Sequence, residues 1–428
     1  FHKNKCKLNT DYIMNIKTNK ITTLNNGLKI ITSYIPRVGG VNISIWLKAG
    51  SRYEDGDEQG FSHLFEHLLF SGNDKYENNF EIASAIERKG SKINGATGLD
   101  YIFFNIESVI KYAEDAFDVL SHLVLAPLIR EKDLEKDKKI VLREINRNKD
   151  NNIAWATRLA YMKNFEGHPL ANDPLGFEES ILKADTEKLK KYYKKFFVPE
   201  KAAIIVAGGL THSDVKKIAE KYFGKWKMGR KEPLKNDILP LQREKECYFF
   251  EKREIKETHL RFNYLLPGIK HSKENAALEI VANYLGYGMS SFLNQELREK
   301  RNLVYGVSSH FQIFSDAGIF SIGTSTNNPK EVIYLVKQIM GQIAQYLKKE
   351  NFNEMKMKTI NLYKFQDINP FYTRALGREF ILKNAIFTTK DRISLIKSVT
   401  KEQLIGASKK YLSSNNLLLT VLGQKIIK

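Results

Sequence analysis

The 428-residue chain contains only two cysteines, Cys6 and Cys247, so we predict neither a disulfide framework nor a cysteine-based zinc site and expect a reducing compartment. No apolar run approaches the roughly 18 residues of a membrane-spanning helix. The first 30 residues are rich in lysine and lack the apolar segment of a signal peptide, and Met14 would be a natural start. These absences favour the cytoplasm of a bacterium, with an organelle matrix as the alternative location.

Negative charge is also scarce, because 68 Lys and Arg residues oppose 49 Asp and Glu residues and give a net charge of +19. A nucleic-acid-binding protein is therefore one possible interpretation. The basic residues are spread along the whole chain, however, and no zinc-finger, helix-turn-helix or RNA-binding motif is present. We favour solvated basic surfaces and expect no nucleic-acid partner.

The chain is too long for one ordinary core, and it repeats itself. A helix pattern leading into an apolar strand at residues 186–208 recurs at residues 400–423. This repeat predicts an α+β fold of two homologous halves, each a mostly antiparallel sheet packed with helices. We predict a first half at residues 14–227 and a second at residues 247–428. Residues 228–246 contain two prolines and little periodicity and would join them.

The most informative stretch is the H-x-x-E-H sequence inside an apolar helix pattern at residues 61–70. His63 and His67 are four residues apart, so their imidazoles lie on one helix face and can hold one tetrahedral ion, usually zinc. Glu66 projects from nearly the same side and could take a proton from a metal-bound water. We expect residues 55–57, Asp-Gly-Asp, to supply the helix N-cap.

The alternative is a pair of core histidines with no metal. A catalytic zinc site needs a third protein ligand, expected to be a His, Glu or Asp on a separate element. Residue spacing alone does not choose among four candidates, which are Glu131, Glu135, Asp137 and Glu144.

The residues around this motif resemble those of a known family. The H-x-x-E-H order, followed by Val-Leu-Arg-Glu-Ile at residues 141–145, is similar to the inverzincins of the pitrilysin/insulinase family, nearest to the mitochondrial processing peptidase-like branch of bacteria and organelles. Residues 90–97 resemble the family's substrate-pairing edge strand, and residues 167–170 with 174–176 resemble its cleft border. Residues 297–305, followed by 316–320, resemble its Arg/Tyr motif.

The resemblance implies one Zn²⁺ per chain, held by His63, His67 and Glu144. It implies Glu66 as the general base. Asp137 falls where the family often has an acidic residue that orients a metal-bound histidine.

The resemblance also implies that Arg298 and Tyr305 bind the substrate backbone and stabilise the tetrahedral intermediate. The edge strand expected to pair with the substrate comprises Asn94, Gly95, Ala96 and Thr97. Two positions depart from the family pattern. Asn302 replaces the usual Gly, and Gly95 replaces the usual Ala, which is expected to loosen the strand.

The sequence therefore predicts a zinc-dependent endopeptidase that hydrolyses peptides or unfolded protein segments by attack of a zinc-bound water. The rival interpretation within the same fold is a non-catalytic partner subunit. Because the chain is about half of a full clamshell of the family, we also expect a homodimer or a heterodimer with a related subunit.

Overall fold

The computed structural model describes residues 18–229, 243–367 and 372–426. The predicted start at Met14 and most of the predicted connection at residues 228–246 lie outside these ranges. The strands of the first half are β1 (Thr18–Thr23), β2 (Lys29–Tyr34), β3 (Gly40–Leu47), β4 (Lys92–Thr97), β5 (Ile102–Val109) and β6 (Ala202–Gly208). Its helices are α1 (Phe61–Phe70), α2 (Asn79–Glu87), α3 (Ala113–Leu125), α4 (Glu131–Asp150), α5 (Asn152–Asn164), α6 (Glu178–Lys183), α7 (Thr186–Phe196) and α8 (His212–Phe223).

The second half repeats this mixture. Its strands are β7 (Cys247–Lys252), β8 (Thr258–Pro267), β9 (Val307–Ile313), β10 (Ala317–Thr326) and β11 (Leu417–Gly423). Its helices are α9 (Ser272–Gly286), α10 (Pro329–Gly341), α11 (Ile343–Lys349), α12 (Phe352–Asp367), α13 (Tyr372–Lys383), α14 (Thr389–Ser398) and α15 (Lys401–Tyr411). A π-helical turn, Asn294–Glu299, precedes β9.

The two sheets share one topology. The first has the order β1-β2-β6-β3-β5-β4, and the second has the order β7-β11-β8-β10-β9. Each contains one parallel pair, β2 with β6 and β7 with β11, while the other pairs are antiparallel. The first sheet differs by its additional edge strand, β1. The predicted fold class, two homologous halves with mostly antiparallel sheets, is confirmed.

Strands β6 and β11 are largely apolar on both faces because both faces of each sheet are covered. Every residue of β6 is buried, and so is every residue of β11. Apolar strands of this kind read as continuous runs rather than as alternating patterns. One face of each sheet packs on the helices of its own half and forms the main core of that half.

The opposite face of each sheet is covered by a helix of the other half. Helix α13, from the second half, packs on β3 and β6 of the first, where Leu376 and Phe380 contact Trp46. Gly377 makes this approach possible, because a Cβ at that position would collide with the Trp46 indole. In return α5 packs on β8 and β11, with Leu159 against Leu422. Each half therefore needs the other to keep its sheet covered.

Two features of the fold position the residues of the candidate site. Strand β4 is the edge of the first sheet, and α1 lies beside it. The long helix α4 packs along α1, with Val141 and Ile145 buried in the shared core. No helix in the described ranges is long and apolar enough to cross a membrane.

Candidate metal centre

The helix α1 that carries the histidines is preceded by its N-cap residue Gly60, whose φ of 96° is left-handed. A side chain at this position would strike Gly176, because its Cβ would lie 2.8 Å from the Gly176 Cα. The stretch around Gly176 that was expected to border the cleft thus packs directly on the start of α1. A residue with a capping side chain does not fit there, and the cap must come from elsewhere.

The cap is supplied by Glu54, which the sequence analysis missed. Its buried carboxyl group accepts hydrogen bonds from the N–H groups of Gly60 and Ser62, both at 2.6 Å. These bonds satisfy donors that the first turn of a helix leaves unpaired. The expected cap at residues 55–57 is wrong, because residues Gly56–Glu58 form a separate 3-10 turn. A lone glutamate seven residues before the first helical residue carries no recognisable capping signal.

We expect Glu54→Gln to lower the free energy of unfolding by about 1–3 kcal/mol, because an amide N–H₂ would replace one of two buried acceptors and leave a backbone donor unpaired. Urea unfolding of the zinc-loaded protein measures the change. Asp57→Asn, on the exposed turn beside it, is the matched control and should leave stability unchanged. Equal stability of the two variants would show that Glu54 does not hold the helix start.

The three predicted ligand atoms converge on one point. The Nε2 atoms of His63 and His67 are 3.3 Å apart, and Glu144 Oε2 lies 3.5 Å from the first and 3.8 Å from the second. Glu144 lies on α4, on the opposite side of the groove between α1 and α4 from the two histidines. Within the described ranges this is the group of His, Cys, Asp and Glu side chains that could hold a metal ion.

The donor set fits zinc. Bonds of about 2.0–2.1 Å from a tetrahedral ion place its nitrogen and oxygen ligands about 3.3–3.4 Å apart, close to the separations found here. Burial, together with the neighbouring His67, lowers the pKa of His63 to about 4. His63 is therefore neutral at physiological pH, which is the form that binds metal. Two imidazoles and one carboxylate would leave the fourth position of a tetrahedral ion open.

Glu66 lies beside this cluster and is held by the edge strand. The hydroxyl of Thr97 donates a hydrogen bond of 2.7 Å to Glu66 Oε2. Burial raises the pKa of Glu66 to about 7; the Thr97 hydrogen bond opposes the rise and the charge of Glu144 adds to it. A carboxyl group with a pKa near neutrality can both accept and return a proton.

Strand β4 lies beside α1 at the same site. Gly95 faces Phe104 of β5 and Ala96 faces Phe103, so the ladder continues through the glycine without a bulge. A Cβ at Gly95 would lie 3.0 Å from Glu66 Oε1. The glycine therefore lets the strand approach the free oxygen of Glu66 closely.

Asp137 lies two turns before Glu144 on α4 and is buried. Its Oδ2 accepts a hydrogen bond of 2.8 Å from the hydroxyl of Ser71, the residue that follows α1. Burial raises the pKa of Asp137, while Ser71 and the nearby His67 oppose the rise. Asp137 therefore ties α4 to the end of α1, near His67 but outside the three-ligand cluster.

Arg298 and Tyr305 lie together in the second half. The guanidinium is 5.4 Å from the centre of the phenol ring, and Tyr305 is 88% exposed. Among the residues that the structure describes, no hydrogen bond or ion pair joins these two to the metal cluster of the same chain. Asn302 between them has a left-handed φ of 52°, a conformation that Asn tolerates better than most residues. This explains how it can replace the usual glycine.

The other stretches singled out by sequence meet at the boundary between the halves. Asp316, from the second half, lies 3.3 Å from the Nε2 of His168 and 2.5 Å from a nitrogen of Arg52. Arg52 also binds Asp100 at 2.8 Å. Burial would raise the pKa of Asp316, yet the hydrogen bonds from His168 and Arg52 lower it to about 2. Arg52 was not predicted, because nothing local distinguishes it from a surface arginine.

Comparison with known proteins agrees with this architecture. The family model described as "Insulinase (Peptidase family M16)" matches residues 29–176, and the model described as "Peptidase M16 inactive domain" matches residues 183–359. An uncharacterized zinc protease of Rickettsia felis is 26% identical over 92% of this chain and 95% of its own length. The uncharacterized zinc protease YmxG of Bacillus subtilis is 26% identical over 92% of this chain and 96% of its own length.

Solved structures show the same fold. A protease from Helicobacter pylori superposes with a TM-score of 0.88 at 18% identity, covering 95% of this chain and 99% of that one. A peptidase M16 inactive domain from Pseudomonas fluorescens gives a TM-score of 0.84 at 20% identity over 96% of this chain and 99% of that one. The predicted resemblance is thus confirmed at the level of family and fold. The chain belongs to the insulinase family of peptidases, family M16.

Proposed function

We propose that this chain is a zinc-dependent endopeptidase that hydrolyses peptides or unfolded protein segments and holds one zinc ion through His63, His67 and Glu144. The observation that carries the proposal is the convergence of these three ligand atoms, 3.3–3.8 Å apart, next to the half-buried Glu66. The names of the relatives, zinc proteases, support the same activity.

When bound, the zinc ion supplies a Lewis acid that polarises a peptide carbonyl and acidifies a water molecule. The protein's own part is proton transfer. Glu66, held by Thr97 through one oxygen, accepts a proton at the other and returns it to the leaving amine. Asp137, through Ser71, keeps α4 and its Glu144 in position against α1.

The substrate would lie extended along the edge strand, against Asn94, Gly95, Ala96 and Thr97. In the described part of the chain β4 pairs with β5 alone, which leaves its other edge available. A peptide added there gains main-chain hydrogen bonds, while pockets on either side provide preference. Because Thr97 also holds Glu66, the bound peptide is brought next to the base.

Arg298 and Tyr305 are the proposed groups that bind the substrate backbone and stabilise the oxyanion. Their position on an exposed surface of the second half suits a contact with a substrate held elsewhere in an assembly. We therefore also propose the dimer expected from the sequence, with an identical or a related subunit. In this arrangement the two halves, residues 14–227 and 247–428 joined by residues 228–246, have different roles.

The test is cleavage of an unbiased peptide mixture, followed by mass spectrometry, before and after zinc removal by 1,10-phenanthroline. We expect cleavage that the chelator abolishes and that added zinc restores, because all three ligands are needed to hold the ion. The non-chelating 1,7-isomer is the matched control and should leave cleavage intact. Cleavage that survives complete removal of the metal would contradict the proposal.

A further inference from the structure

A cavity of about 250 Å³ lies between the two halves, at the carboxyl end of β4. Its wall begins at Gly98, the residue after Thr97. The second half contributes Gln312 from β9 and Arg378 from α13. An extended peptide advances about 3.3 Å per residue, so a substrate lying on β4 would reach this cavity within a few residues of the reacting bond.

The charged side chains of the cavity wall are two arginines, Arg158 and Arg378, and two aspartates, and among the described residues Arg378 has no ion-pair partner. The two carboxylates are each matched by an arginine, since Asp100 is 2.8 Å from Arg52 and Asp173 is 2.8 Å from Arg158. Arg378 is the cation that remains after this pairing.

Several hydrogen-bond donors in the cavity wall have unused capacity. Arg158 is only 7% exposed, and its Nη1 has no hydrogen-bond partner among the described residues. Gln312 accepts a hydrogen bond of 2.5 Å from Tyr161 at its Oε1, which leaves its amide N–H₂ to donate. Arg378 donates to the carbonyl of Ile313 through one nitrogen, at 3.1 Å. A buried donor without a partner is costly, so these groups favour an anionic occupant.

Arg378 lies close enough to act on the groups around the cavity. Burial raises the pKa of Tyr101 and of Tyr161, and the charge of Arg378 opposes the rise in both. A planar guanidinium can grip a carboxylate with two parallel hydrogen bonds. The net charge of +19 adds a field that attracts acidic peptides to the molecule as a whole.

We propose that this cavity binds a carboxylate of the peptide substrate, through Arg378, and thereby sets a preference for an acidic group near the cleaved bond. The inference rests on the proposed endopeptidase function. The carboxylate is that of an Asp or Glu side chain or that of the substrate's C-terminus.

Matched peptides test the inference, each differing only by Glu or Gln at one position near the cleaved bond. We expect one position at which the kcat/KM ratio of the Glu peptide to the Gln peptide is roughly tenfold or more, as hydrogen bonds to a charged group are worth. Arg378→Gln should reduce this ratio towards one. Arg378→Lys, which keeps the charge without the planar fork, should retain part of it.

Arg88→Gln is the matched control, because Arg88 is exposed at the end of α2 and is not part of the cavity wall; it should keep the ratio. A second series with amidated C-termini separates the two carboxylate sources, since only a C-terminal carboxylate is lost on amidation. The dissociation constants of fluorescent Glu and Gln peptides from zinc-loaded Glu66→Gln give the same comparison without turnover.

Zinc-dependent cleavage without any preference for Glu or for a free C-terminus would overturn the cavity assignment and leave the peptidase intact. A preference that persists in Arg378→Gln would also overturn the cavity assignment and leave the peptidase intact. If no peptide is cleaved or bound at all, both the proposed function and this inference fail together.

Discussion

Glu66→Gln is expected to keep zinc and fold while losing about 10²–10⁴-fold in kcat, the usual contribution of a general base. Gln has the shape of Glu, and its side-chain oxygen can still accept the hydrogen bond from Thr97. It cannot accept the proton. Because Glu66 is outside the three-ligand cluster, metal content should not change, and KM should change much less than kcat.

Steady-state cleavage of a fluorogenic peptide, with zinc measured by elemental analysis, checks this result. Glu87→Gln is the matched control, because Glu87 is exposed at the end of α2, and it should behave as the wild type. Turnover of Glu66→Gln within a few-fold of the wild type would remove Glu66 from the mechanism. Loss of zinc from this variant would instead place it among the groups that hold the metal site together.

Glu144→Gln is expected to weaken zinc binding by roughly 100-fold or more, since loss of an outer partner alone typically costs 10–100-fold. An amide oxygen is a poorer ligand than a carboxylate, and the substitution removes the negative charge that Glu144 contributes to the site. Activity at limiting zinc should fall in parallel with zinc content. Competition with a chromogenic chelator measures the dissociation constant directly.

Glu135→Gln provides the comparison on the same helix, since the side chain of Glu135 binds Lys138 and not the cluster. It should bind zinc as the wild type does. Asp137→Asn should have a smaller effect than Glu144→Gln, because its observed hydrogen bond is with Ser71. If Asp137→Asn lost zinc and Glu144→Gln kept it, the third ligand would have to be reassigned to Asp137.

Local sequence patterns were sufficient to predict much of the fold and part of the candidate site. The strand and helix patterns, the repeat of a helix and a strand at residues 186–208 and 400–423, and the four-residue spacing of His63 and His67 all concern residues that are near one another in sequence. Backbone periodicity determines which of these share a face. For that reason the α+β halves, and the pairing of the two imidazoles, could be predicted without a structure.

The third ligand could not be chosen in this way. Asp137 and Glu144 are seven residues apart, two turns of one helix, so both lie near the same face of α4. Which of them reaches the histidines depends on how far α4 slides along α1, and that is decided by the packing of Val141 and Ile145 in the core. The structure brings Glu144 to the imidazoles and leaves Asp137 with Ser71.

Three further features follow only from the tertiary structure, because each depends on a contact between residues distant in sequence. Glu54 caps α1 since Gly60 is packed too tightly against Gly176 to carry a side chain. The contact of Asp316 with Arg52 joins residues from different halves. Helix α13 covers Trp46 across more than three hundred residues. Local spacing cannot predict such contacts, because close packing in the folded core determines which distant surfaces meet.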